Sequence, residues 1–175
     1  MASQDRGSRS PIVTNAFVGT TKLYEQGGRD HVAFANVGFT HALTTLARIP
    51  NLVSINSAVE VDLFGQVNSE TIRSRSVSGV GGALDFIRGA NALPNGRAIV
   101  ALPSVTTNGE SRLVTSFKAG VPVTIPRADG IIVVTENGIA DLRNLSANRR
   151  AESLIAIASP LHQDRLAKEF VDGKN

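Results

Sequence analysis

The sequence predicts a single α/β domain, with a mixed or mainly parallel sheet flanked by helices. Three observations predict it. Short β-branched runs alternate with helical patterns along the chain. Two of those runs, Arg97–Leu102 and Ile131–Thr135, are apolar enough to be buried strands. At 175 residues with 42% hydrophobic content, the chain has the material for one real core.

Met1–Ser10 carries arginines and serines but no apolar stretch, so it is expected to be a disordered tail rather than a secretory signal, with the domain over residues 11–172. Pro11–Val18 is expected to be a strand and Lys22–Glu25 a short helix ended by Gly27-Gly28. His31–Phe34 suits a second strand. Thr40 is placed to cap a helix over Ala42–Ile49, which Pro50 stops. Leu52–Asn56 and Val59–Leu63 follow as strands. The second alternates, so Val59, Val61 and Leu63 share one face and Glu60 and Asp62 the other. Two carboxylates about 6–7 Å apart on one strand face suit acid–base chemistry; a solvated face, or a pair bonded to a neighbouring loop, is the structural alternative.

A polar segment, Ser69–Ser76, leads into Ser78-Gly79-Val80-Gly81-Gly82, where three glycines fall within four positions. A helix begins at Ala83 with Leu84 and Ile87 on one face, so the loop delivers its last N–H groups toward a helix N-terminus. That arrangement favours anions and oxyanions. Beyond it come the Asn95-Gly96 turn, the strand ending at Pro103, a polar loop over Thr106–Glu110, and candidate strands over Ser111–Phe117 and Val121–Ile125. Ile131–Thr135 runs directly into Glu136-Asn137-Gly138, and open α/β sheets place ligands at such strand ends. Ser146 is expected to cap Ala147–Ala158, and Ser159-Pro160 to start a last helix with Leu166, Phe170 and Val171 turned inward.

Composition excludes several function classes. Without cysteine there are no disulfides, no thiolate nucleophile and no thiolate-bound metal, which fits a cytoplasmic setting. The net charge is only +3, the basic residues are scattered, and seven Phe and one Tyr are the aromatics, against nucleic-acid binding. No apolar run reaches the roughly 20 residues a membrane span needs. His31, His41 and His162 lack metal-site spacing. Neither a Gly-x-Ser-x-Gly elbow nor a phosphate-binding Gly-x-x-x-x-Gly-Lys-Ser/Thr loop is present.

Taken together, Ser54–Asn68, the Ser78–Gly82 loop with Asp85–Ala90, Ile99–Ser104, Val133–Arg143 and Leu154–Ala158 resemble, in order, the acetyl-CoA hydrolase/transferase family, over about Val13 to Leu166. The resemblance is to the C-terminal half of those enzymes, which are two similar α/β domains of the CoA-transferase type with the active site between them. It implies coenzyme A as substrate, no metal, an acyl-CoA and a small carboxylate as partners, and an oxyanion-hole N–H at Gly82 beside Gly79, Val80 and Gly81. It also implies an active-site role for Glu136. The nucleophilic glutamate of the family would lie upstream of Met1, so the expected partner is an N-terminal-half polypeptide or a second copy. In related 3-oxoacid CoA-transferases the Glu-x-Gly nucleophile precedes the glycine loop, so Glu136 is expected to be polar support. Where the family often has an active-site asparagine, this chain has Phe39-Thr40-His41-Ala42. His41 either takes over that hydrogen-bonding role, marks a different substrate or reaction, or is structural. The alternative for the whole chain is a non-catalytic binding or assembly subunit of the same family.

Overall fold

The computed structural model describes residues 12–27, 29–73 and 75–173; the expected tail, with Pro11 and Gly28, lies outside them. In chain order the elements are β1 (Ile12–Thr14), α1 (Thr21–Tyr24), β2 (Val32–Phe34), α2 (Val37–Thr40), α3 (Leu43–Leu46), β3 (Val53–Ser57), β4 (Glu60–Asp62), β5 (Val67–Asn68) and β6 (Thr71–Ile72). Then follow β7 (Arg75–Ser76), α4 (Ala83–Asn91), β8 (Arg97–Ala101), β9 (Leu113–Val114), β10 (Ile132–Thr135), β11 (Gly138–Asp141), α5 (Ala147–Ala156) and α6 (Pro160–Asp172).

The main sheet has the order β11-β10-β8-β3. Its β3, β8 and β10 are parallel, and β11 returns antiparallel on β10. Ile55, Ile99 and Ile132 fall in one register row across the three parallel strands. A second sheet, β5-β4-β9, pairs β4 antiparallel with β5 and parallel with β9. Apolar side chains from both sheets meet those of α4, α5 and α6 in one core that includes Val61, Ile87, Val100, Leu113, Val133, Leu154 and Leu166. Helix α4 packs on β3 and β8 and carries Gly89, where a Cβ would stand 2.6 Å from the Leu46 Cβ of α3. Since α4 leads into the start of β8, its N-terminus lies at the carboxyl ends of the parallel strands.

Several sequence expectations change. Thr40 ends α2 instead of capping α3. Asn36 caps α2, its side chain accepting from Phe39 N at 2.9 Å, and α3 starts from Ala42 without a side-chain cap, while the Thr40 hydroxyl bonds back to Asn36 O. Of the two candidate strands after Glu110, only Leu113–Val114 pairs as a strand, and Ile125 makes a single bridge to Val67. Val171 is exposed, because the buried stripe of α6 runs through Leu166 and Phe170. The polar segment before the glycine loop is a small hairpin, β6–β7. Ser146 caps α5 as expected, accepting from Arg149 N. No helix among the described residues is long and apolar enough to cross a membrane.

Candidate active site

Gly82 is the N-cap of α4, at φ −104° and ψ 9°, and no side chain caps the helix. Its carbonyl accepts from Phe86 N at 3.3 Å, and its own N–H has no partner among the described residues. The N–H groups of the first turn are likewise free of other elements, so the positive end of α4 is presented outward. The glycines of this loop have different reasons. Gly81 sits at φ +61°, a conformation L residues rarely adopt. At Gly82 a Cβ would land on the imidazole of His41. A Cβ at Gly79 would meet nothing within 4 Å, and Val80 beside it is exposed. In front of the loop lies a groove of about 440 Å³, whose far wall includes Asn56, Ser57 and Ser69.

His41 reaches this glycine because it caps the C-terminal end of α2, where its ring lies edge-on to Phe86 of α4 at 5.1 Å. His41 Nδ1 pairs with Thr40 Oγ1 at 2.8 Å. The Thr40 hydroxyl also lies 3.3 Å from Asn36 O. Nε2 is the ring atom set against Gly82. The structure thus brings together two residues that stand 41 positions apart in the chain.

Glu136 occupies the same carboxyl edge of the sheet but not the same spot. With Asn137 it forms the two-residue turn between β10 and β11, where Thr135 pairs with Gly138. Its carboxylate accepts from Ser104 N at 2.8 Å and from Ser104 Oγ at 2.5 Å. Asn137 Nδ2 donates to that same Oγ at 3.1 Å. The Ser104 hydroxyl, followed by the Ser104 N–H, holds the Glu136 carboxyl below its ordinary range, so it is ionised at neutral pH. Strand β8 separates β10, which leads into the Glu136 turn, from β3, whose Asn56 and Ser57 line the groove of the glycine loop. Sequence reasoning gives no role to Ser104 or Asn137. The signal was there: each is a polar residue just beyond the end of a buried strand.

The paired acids of β4 take the loop-bonded alternative. Asp62 is fully buried and accepts from Phe64 N, Gln66 N and Gln66 Nε2 at 2.7–3.0 Å. Burial pushes its carboxyl up, against the lowering effect of the Gln66 bonds. Glu60 accepts from Asn68 Nδ2. Histidines 31 and 162 lie elsewhere, the latter bonded to Gly109 O.

Residues 19–170 match the acetyl-CoA hydrolase/transferase C-terminal domain. This chain belongs to that family. It is 42% identical over 161 residues to the 4-hydroxybutyrate coenzyme A transferase of Clostridium kluyveri, covering 91% of this chain and 38% of that protein. Among solved structures, RipA from Yersinia pestis superposes with a TM-score of 0.83 at 35% identity, covering 90% of this chain and 36% of that one. The 4-hydroxybutyrate CoA-transferase of Porphyromonas gingivalis gives 0.74 at 32% identity, covering 93% and 37%. In each case the family domain seen here spans little more than a third of the relative's length.

Proposed function

We propose that this chain is the C-terminal half of an acyl-CoA:carboxylate CoA-transferase or acyl-CoA thioester hydrolase of the cytoplasm, acting with an N-terminal half that carries the glutamate nucleophile. The observation that carries the reading is the unpartnered Gly82 N–H at the start of α4, set beside His41 and facing a groove. In thioester chemistry the carbonyl oxygen gains negative charge as the tetrahedral centre forms. A fixed N–H aimed at that oxygen contributes about 3 kcal/mol to the transition state. In this reading Gly79, Val80, Gly81 and Gly82 form the wall against which coenzyme A lies, the open space around Gly79 leaving room for close approach. His41 completes the oxyanion side as an N–H donor through Nε2, the ring atom against Gly82. Glu136, ionised and held by Ser104, is a fixed acceptor for donors of the substrate.

The test is acyl-CoA/acetate exchange with and without the N-terminal half, together with coenzyme A titration of the wild-type chain and of Gly82→Val. Exchange only in the presence of both halves, and coenzyme A binding weakened by Gly82→Val, are expected. Full activity of the chain alone, or binding indifferent to the valine, refutes the reading. The second reading, a non-catalytic assembly subunit, draws on the apolar side chains exposed on the main sheet; it predicts no coenzyme A binding at all.

A further inference from the structure

A neutral imidazole carries one proton on two nitrogens, and the partner of one nitrogen decides what the other can do. In His41 the two nitrogens face different neighbours. Nε2 is set against Gly82 and has no hydrogen-bond partner among the described residues, while Nδ1 lies 2.8 Å from Thr40 Oγ1. The Thr40 hydroxyl has a single proton, and the residue is buried, so that proton goes to a protein acceptor. Two acceptors are within reach. One is Asn36 O at 3.3 Å, longer than the roughly 2.5–3.0 Å of an ordinary O–H···O bond. That carbonyl already accepts from Phe39 N and Thr40 N, each at 3.1 Å, which occupies its lone pairs. The other is Nδ1. The proton is held chiefly by the ring, with Asn36 O as its weaker branch.

We propose that Thr40 is a positioning residue: by donating to Nδ1 it fixes His41 in the tautomer whose proton is on Nε2, so that an N–H and not a lone pair stands beside the Gly82 N–H. The inference rests on the reading of Gly82 and His41 as the oxyanion side, and names the residue that makes His41 a donor there. Other contacts fix the direction of that N–H. Phe86 meets the ring edge-on, with centroids 5.1 Å apart at 84°, and Gly82 has no Cβ to push the ring away. Helix α2 brings the hydroxyl to the ring, since Asn36 caps it through Phe39 N and Thr40 is its last residue, directly before His41. The chemistry requires the donor form. A lone pair at Nε2 would repel a thioester oxygen that is gaining negative charge, whereas an N–H stabilises it.

Two measurements test the assignment. A long-range proton–nitrogen correlation NMR spectrum of the full chain, at a pH where the ring is neutral, shows which nitrogen of His41 carries the proton; its signals are those absent from His41→Asn. The proton is expected on Nε2, and a proton on Nδ1 overturns the proposal. Acyl-CoA/acetate exchange, with the N-terminal half present, then compares wild type with Thr40→Val and Thr40→Ser. Valine keeps the branched shape and removes the hydroxyl, so kcat should fall roughly tenfold while KM for the acyl-CoA stays within about twofold. Serine keeps the donor and should restore the rate to within about threefold of wild type. An asparagine amide nitrogen carries its donors whatever stands beside it, so in a His41→Asn background the same valine should change kcat by less than about twofold. An equal loss in both backgrounds, a serine variant as slow as the valine, or an effect confined to KM overturns the proposal. If Thr40→Val does not fold, as read by circular dichroism, the proton position in the wild-type spectrum still decides it. The two readings fail separately. A proton on Nε2 in a chain that exchanges no acyl groups with the other half sinks the functional reading alone, and full exchange with the proton on Nδ1 sinks the role of Thr40 alone.

Discussion

Replacing Gly82 with alanine isolates the contact on which the site is built. The backbone at φ −104° and ψ 9° accepts an alanine without strain, so the cost comes from His41, onto whose ring the new methyl group would fall. The imidazole must swing away. It then loses its bond to Thr40 Oγ1, worth about 1 kcal/mol, and its edge contact with Phe86, worth about 1 kcal/mol more. Alanine is a poorer N-cap than glycine by about 0.5 kcal/mol, and restricts the unfolded chain by a similar amount in the opposite sense, so these two effects cancel. The net loss is about 2 kcal/mol, or roughly 4–8 °C in melting temperature for a domain of this size. Urea unfolding of wild type, Gly82→Ala, His41→Ala and the double variant measures it as a coupling. With His41 gone the methyl group has nothing to displace, and Gly82→Ala should then cost less than about 0.5 kcal/mol. An equal cost in both backgrounds would show that the glycine is not there to admit the histidine.

Two further outcomes follow from the carboxylates. Asp62→Ala leaves the Phe64 and Gln66 N–H groups and the Gln66 amide without their acceptor, and should cost about 3 kcal/mol by urea unfolding; a loss under about 1 kcal/mol would contradict the buried network. Because burial raises the Asp62 pKa, the native state binds protons more strongly than the unfolded chain between the two pKa values. Its contribution to stability is therefore greatest below the unfolded value and falls as pH rises through the raised one, a trend that Asp62→Asn should flatten. Glu136 behaves oppositely, its stabilisation being present above the unfolded carboxyl pKa and lost as pH falls through the lowered one. Ser104→Ala should move the Glu136 titration, followed by NMR, upward toward the ordinary range, with the Ser104 N–H retaining part of the lowering; an unmoved titration refutes the assignment of cause.

The elements that sequence reasoning located are those whose signals are local. The apolar runs of β8 and β10, the Ser146 cap and the glycine-to-helix junction at Gly82 each depend on neighbouring residues alone. Errors arose where two local signals compete. Asn36 and Thr40 are both capping residues, and the short α2 between them uses the first. Strand β11 went unseen because Glu136-Asn137-Gly138 looks like the end of an element, although it is the turn of a tight hairpin. Long-range facts were out of reach in a different way. That His41 lies on Gly82 follows from α3 packing against α4 through Leu46 and Gly89, and the family resemblance, not periodicity, put both residues in one site. Val53 and Ile55 have the apolar character of buried strand residues; their exposure depends on what covers the sheet, which no local pattern encodes.

Ser104 bonds to both sheets at once. Its N–H and hydroxyl hold Glu136 at the end of the main sheet, while its carbonyl accepts from Arg112 N at 2.9 Å, one residue before β9 of the second sheet. The carboxylate is therefore aimed from a hinge pin common to both layers. Its direction is a property of how the layers are stacked, and any sliding of one past the other would register first as a rotation of that charge.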